Sequence, residues 1–277
     1  MIGFIGSVFS PYYAWANAKA PANPENHCAM NIVLYQPRGG RWAMTERGAD
    51  KLSRSVRHLQ IGNSVMRWEN DQLIAEIDEI SVPVPRRIRG HLTLTPLTVN
   101  STQFQLDGGG RHRWQPIAPL AAIEVKFQNP KLSWRGNAYF DTNDGDAPLA
   151  ADFRSWHWSR TNDKSATTIF YNAKRRDGTS LVLGLEVQAG GKLAPIAPPP
   201  EQPLPNTVWR VTRSAHSDAG YKPTVLKTLE DAPFYNRSII RAQADGKIFD
   251  AVHESLDLDR FNKPWVKLLL PFRMPRI

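Results

Sequence analysis

Between residues 72 and 78, Leu73, Ala75 and Ile77 alternate with Ile74, Glu76 and Asp78, and this period of two recurs through most of the chain. Successive side chains of a pleated strand point to opposite faces, so the pattern predicts strands with one buried face. Turn signals separate the alternating stretches at short intervals. Asn70-Asp71 divides residues 64–69 from 72–78, and Asp107-Gly108-Gly109-Gly110 stands between Phe104, Leu106 and the run 111–117. Asn, Asp and Gly adopt the positive φ that tight hairpins need. Residues 28–35 form an apolar run ahead of the turn at Pro37, Gly39 and Gly40, and 41–46 read as its returning arm. Residues 87–95 alternate again, and Ile123, Val125 and Phe127 do so before Asn129-Pro130. Residues 50–60 fit either a helical turn or a strand. No segment keeps a helical period over three turns. Short strands at near-regular spacing predict an all-β sandwich or barrel.

The pattern restarts after a connector at 146–152. Strands are expected at 156–160, 167–174 and 180–187, with a turn at Asp177-Gly178. The Pro-rich passage 195–205 reads as an ordered loop or polyproline segment. Further strands are expected at 208–213, 223–229, 238–242 and 249–255, with 256–260 and 265–270 closing the chain. The restart predicts two β domains, 1–146 and 147–277, the first carrying most of any site.

A chain of 277 residues can bury a sizeable core. Its single cysteine, Cys28, excludes an internal disulfide and a Cys-clustered zinc site, and fits a reducing compartment. The net charge of +9 calls for an anionic partner. Its arginines and lysines come in small groups (Arg86, Arg87 and Arg89; Arg111 and Arg113; Lys174, Arg175 and Arg176), without zinc-finger spacing, an RNA-recognition signature or a basic heptad. That argues against nucleic acid and for an anionic membrane surface. No apolar run reaches the length of a spanning helix. Residues 1–20 are apolar and aromatic, but Ser10-Pro11-Tyr12-Tyr13 interrupts them and no basic residues precede them, unlike a secretory signal. They read as a segment folded into the domain or touching lipid. No ligand spacing for a metal and no Gly-rich phosphate loop is visible, so action without metal or cofactor is expected.

Residues 133–160 concentrate the chemistry. They hold Trp134, Trp156 and Trp158, three of nine tryptophans, and the step Tyr139-Phe140-Asp141 ahead of Asn143-Asp144-Gly145. Asp141 is placed where an aromatic strand gives way to a polar turn. Two readings follow: a carboxyl delivered into an aromatic pocket, or an Asp capping its own turn. Trp156 and Trp158 share a strand face as core or tunnel wall, and His157 points the other way, towards the surface. The run from Asp141 to Asp146 also looks superficially like a calcium loop, but its Gly is one place early and helical flanks are absent.

Longer segments carry a further signal. They are Met1-Ile-Gly-Phe-Ile-Gly-Ser-Val-Phe-Ser-Pro-Tyr-Tyr-Ala-Trp, Asn26-His-Cys-Ala-Met-Asn, Gly40-Arg-Trp-Ala-Met-Thr-Glu-Arg, Gly110-Arg-His-Arg-Trp and Trp156-His-Trp-Ser-Arg. Leu229-Glu-Asp-Ala-Pro-Phe-Tyr, His253-Glu-Ser-Leu and Pro271-Phe-Arg-Met-Pro-Arg complete the set. Together, over essentially the whole chain, they resemble the acyclic carotenoid 1,2-hydratase (hydroxyneurosporene synthase) family. The resemblance implies two tandem lipocalin-like β-barrel or sandwich domains and cofactor-free addition of water to the terminal double bond of acyclic carotenoids such as neurosporene and lycopene. It also implies a cytoplasmic place on the photosynthetic membrane, among other enzymes of carotenoid synthesis. The family's site carries over to His112 and Trp114, and to Tyr139 and Asp141.

Such a reaction needs an acid able to protonate an isolated alkene, and water to capture the tertiary cation. A carboxyl kept protonated by apolar burial meets the first need. Asp141 is the expected donor, with Tyr139, Trp114 and Trp134 around it and aromatic faces to stabilise the cation. Trp156 and Trp158 are expected to line the substrate's path. His112 either holds and deprotonates the water or is simply packed in its strand. A non-catalytic carotenoid carrier of the same fold is the alternative, though it would not need a carboxyl inside its pocket.

Overall fold

Two expected strands merge into one element. All of 111–117 but its first residue, and all of 123–127, belong to a single strand of 18 residues, His112–Asn129, and a strand of 14, Leu132–Gly145, follows it. The computed structural model describes residues 1–37, 39–162 and 166–277, and both long strands contribute to each of its two compact units. The first unit comprises Met1–Pro96, Ala122–Ala138 and Lys267–Ile277, and the second Leu97–Ala121 and Tyr139–Val266. This division differs from the boundary expected at 146/147. The long strands run through both units without a break, and the C-terminus returns to the first unit. There Glu46 N donates to Pro275 O at 2.8 Å and Ile277 N to Glu46 O at 3.1 Å.

In the first unit Ile2–Ile5, Cys28–Leu34 and Arg41–Arg47 form an antiparallel sheet. The apolar N-terminal segment is thus folded in. The short helix that follows, Pro11–Asn17, starts with Pro at its first turn, and Ser10 Oγ accepts from Tyr13 N at 2.9 Å. A second sheet meanders through Leu52–Ser55, His58–Ile61, Ser64–Glu69, Gln72–Ile80 and Arg87–Pro96 before reaching the long strands. The positive φ of Asn70 and Asp71 makes its expected hairpin turn. Every second residue of the strand Cys28–Leu34 (Cys28, Met30, Ile32 and Leu34) enters a core with Ile61, Ile77, Ile88, Val125 and Phe127. Each such side chain, fully buried, contributes about 1.5–3 kcal/mol.

The second unit is built on a seven-stranded antiparallel sheet. Its order is Leu193–Pro195, Ser180–Gln188, Ala166–Arg175, Phe153–Asn162, Lys247–Asp257, Tyr235–Ala244 and Thr224–Asp231. The strand expected at 208–213 does not form. Arg210 has φ +58°, outside extended backbone, and the flanking pieces Glu201–Pro203 and Ser214–His216 pair instead. The chain closes with short helices at Leu258–Phe261 and Pro264–Leu269. The fold is all-β, but among the described residues no sheet closes into a barrel, since each strand order has two ends. No helix among these residues is long and apolar enough to cross a membrane.

Candidate active site

Alternation along the strand Phe153–Asn162 sets Trp156, Trp158 and Arg160 on one face of the second unit's sheet. Register then fixes their neighbours: Trp158 lies opposite Tyr171 on one side and Glu254 on the other. Glu254 is held by Arg237, its cross-strand partner, at 2.7 Å. This face meets side chains from the long strands. Trp114, wholly buried, packs against Phe104 and Tyr171 with ring centres 5.5 and 5.2 Å away. Tyr139 packs against Trp158 at 5.3 Å.

Asp141 stands among these rings. The strand continues through it to Gly145, so no turn begins there, and its carboxyl is bonded by two side chains. Trp114 Nε1 donates to Asp141 Oδ2 at 2.8 Å and the Tyr139 hydroxyl donates to the same oxygen at 3.0 Å. Oδ1 has no partner among the described residues. The residue is half-buried, and desolvation by the protein packed around its carboxyl pushes the pKa up to about 6. The donors Trp114 and Tyr139 oppose the shift, the charge of Glu254 adds to it, and that of Arg160 opposes it. Burial, followed by the charge of Asp141, likewise drives the Tyr139 and Tyr171 hydroxyls up, so both stay protonated donors. Because both donors occupy Oδ2, a proton on this carboxyl is carried by Oδ1.

His112 is buried but engaged elsewhere. Its Nε2 lies 2.7 Å from Asp152 Oδ2, and its ring meets Phe153 edge-on at 5.0 Å. On its other side the chain passes so close that a Cβ at Gly145 would lie 2.6 Å from Nδ1. Its backbone N–H donates to Asp107 Oδ1 at 2.7 Å. The acidic turn that resembles a calcium loop is also spoken for: Asp144 and Asp146 both pair with Arg113.

A family model for carotenoid hydratase, CrtC, matches residues 1–277. The chain belongs to the carotenoid hydratase family. It is similar to the acyclic carotenoid 1,2-hydratase of Thiocapsa roseopersicina, with 45% identity over 100% of this chain and 69% of that protein. Similarity to the enzyme of the same name from Cereibacter sphaeroides is 43% over 100% and 98% of the two chains. A crystal structure assigned to AttH from Nitrosomonas europaea shares the fold, with a TM-score of 0.57 at 11% identity, covering 83% of this chain and 81% of that one.

In this hydratase, the candidates Trp114, Tyr139 and Asp141 meet directly, with Trp158 against Tyr139 and Trp156 6.5 Å from Tyr171. Trp134 belongs to the first unit, is 43% exposed and stacks on Phe127. His157 is not on the surface as expected but buried, 6.1 Å from His253, with Nδ1 3.0 Å from Ser255 Oγ. The two-stranded sheet covers that face: His253 Nε2 meets Ser214 O at 2.8 Å, and His216 Nε2 meets Asn172 Oδ1 at 2.8 Å. Burial lowers the pKa of His157 to about 4 and that of His253 to about 3, leaving both neutral. Sequence reasoning missed Tyr171, Arg160 and Glu254. Arg160 was within reach of it, since two residues beyond Trp158 is the same strand face. Tyr171 and Glu254 needed the register.

Proposed function

We propose that this carotenoid hydratase adds water across the terminal C1–C2 double bond of acyclic carotenoids, with Asp141 as the proton donor. The observation that carries the mechanism is a carboxyl raised to about 6, bonded only through Oδ2 and set in an aromatic wall. Transfer of the Oδ1 proton to C2 leaves a tertiary cation at C1. Aromatic faces beside it attract positive charge. The Trp114 and Tyr139 donors stay in place to stabilise the carboxylate that forms. At pH 7 a pKa of about 6 leaves roughly a tenth of the molecules protonated, and a hydrocarbon filling the site raises that share by removing more water. The same features disfavour a carrier, for which a buried acid brings cost without use.

Pure protein incubated with lycopene or neurosporene in detergent tests this reading. A 1-hydroxy carotenoid is the expected product, and stoichiometric binding without product would make the chain a carrier.

The likeness to AttH supports two lipocalin-like β units with open sheets. Peripheral binding to an anionic membrane is supported by the net charge of +9 and by a substrate that dissolves in lipid. Part of the clustered arginine charge is met internally, as in Arg87–Asp78, Arg113–Asp144 and Arg176–Asp259. Binding to anionic vesicles should weaken as salt rises, and equal binding to neutral vesicles would remove the electrostatic part.

A further inference from the structure

Two side chains on the aromatic face carry nitrogen atoms that no protein group answers. Trp158 Nε1 and Arg160 Nε and Nη1 are buried without a hydrogen-bond partner among the described residues. Each unpaired buried donor costs about 1–3 kcal/mol, and more on a charged group. They stand at the reacting end of the site. Trp158 packs on the Tyr139 ring, and the Arg160 guanidinium lies over that ring, 4.9 Å from its centre. The hydroxyl of the same ring holds Asp141 Oδ2. All three atoms are donors, so whatever answers them is small and offers lone pairs. A hydrocarbon has none, whereas water has two. His112, the sequence candidate for handling water, is taken up by Asp152 and hemmed in by Gly145.

We propose that Trp158 and Arg160 hold the oxygen of the water that captures the cation, an assignment that rests on the hydration reading above. One lone pair must stay free to form the C1–O bond, so only one of these N–H groups bonds the oxygen at the moment of attack, and Trp158 and Arg160 hold the water by turns rather than both at once. The Asp141 Oδ1 proton goes to C2, the π electrons form the C2–H bond, and C1 becomes cationic. A water lone pair then forms the C1–O bond, and the surplus proton of the resulting oxonium returns to the Asp141 carboxylate. Water is added and the acid is restored, with no oxidant or reductant. The Arg160 charge favours the transient Asp141 carboxylate, and the Tyr139 ring face beneath it offsets part of that charge away from the cation.

The test separates capture from protonation. In D2O, a cation that is not captured loses a proton from a neighbouring carbon and returns to alkene, carrying deuterium into recovered substrate. Trp158→Phe keeps the ring and deletes one donor, and Arg160→Gln deletes the guanidinium. Expected is a fall in hydration of about a hundredfold, the scale of a misplaced reactant, with the ratio of deuterium exchange to hydration rising at least tenfold over wild type. A ratio unchanged in well-folded Trp158→Phe protein would overturn the assignment even if overall activity fell, since a merely structural role slows both steps together. Should Arg160→Gln not fold, Trp158→Phe alone decides. Absence of any hydroxylated product from wild-type protein would overturn the hydration reading itself, and this assignment with it.

Discussion

Glu79 in the first unit and Asp141 in the second are both acids whose pKa desolvation raises. Their partners differ. Glu79 is 2% exposed, with Arg47 Nη2 2.7 Å from Oε2 and Ser64 Oγ donating to Oε1 at 2.8 Å. Both oxygens are used, one by a full positive charge, and the acid is fixed in place. Asp141 has two neutral donors on one oxygen and nothing on the other. The Arg160 charge is felt there but makes no hydrogen bond to it. A buried carboxylate with a bonded cation holds a fold together, whereas one without it holds its proton to higher pH and can give it away.

The largest contrast is in turnover. Asp141→Asn keeps the shape and the acceptor oxygen but removes the proton, and hydration should fall by roughly a thousandfold or more. Glu79→Gln should leave turnover per folded molecule close to wild type. Product analysis on purified, folded proteins decides it, and near-normal hydration by Asp141→Asn would remove Asp141 from the mechanism.

Stability should show the mirror image. Arg47→Met strands the Glu79 charge and should cost about 3–5 kcal/mol in chemical denaturation. Asp141→Asn should cost nothing at pH 8, and it can gain on the order of 2–3 kcal/mol there. The sign follows from the raised pKa. Between about 4 and 6 the folded protein holds a proton that the unfolded chain releases, so wild-type stability falls as pH rises through that window. The gain should therefore vanish below pH 4. A large loss at pH 8 would make Asp141 a structural acid like Glu79.

Hydration itself should decline as pH climbs above 6, about tenfold per unit once the carboxylate dominates. A rate that instead rises through pH 6–8 would mean that the working form is the carboxylate. The smallest effect is expected for Tyr139→Phe, which removes one donor to Oδ2. Losing it destabilises the carboxylate, so the descending limb should move to higher pH by about one unit or less. A limb moving to lower pH would contradict the hydrogen bond as the cause.

Much of this was readable from the chain, for local reasons. A period of two means a strand wherever one face is buried, so the all-β class followed from alternation in stretches such as 72–78 and 87–95. The same period puts Tyr139 with Asp141, and His112 with Trp114, on common faces of their strands. Alternation could not say which side chains meet across strands. Trp114 reaches Asp141 across 27 residues and His112 reaches Asp152 across 40, distances set by the register of two long strands and the path of the connector. The burial of His157 likewise depended on a two-stranded sheet drawn from residues some 45 and 60 positions further on. The acidity of Asp141 was the least local of all. Its pKa reflects how much water the surrounding rings exclude, a quantity of the assembled packing that no stretch of sequence carries by itself.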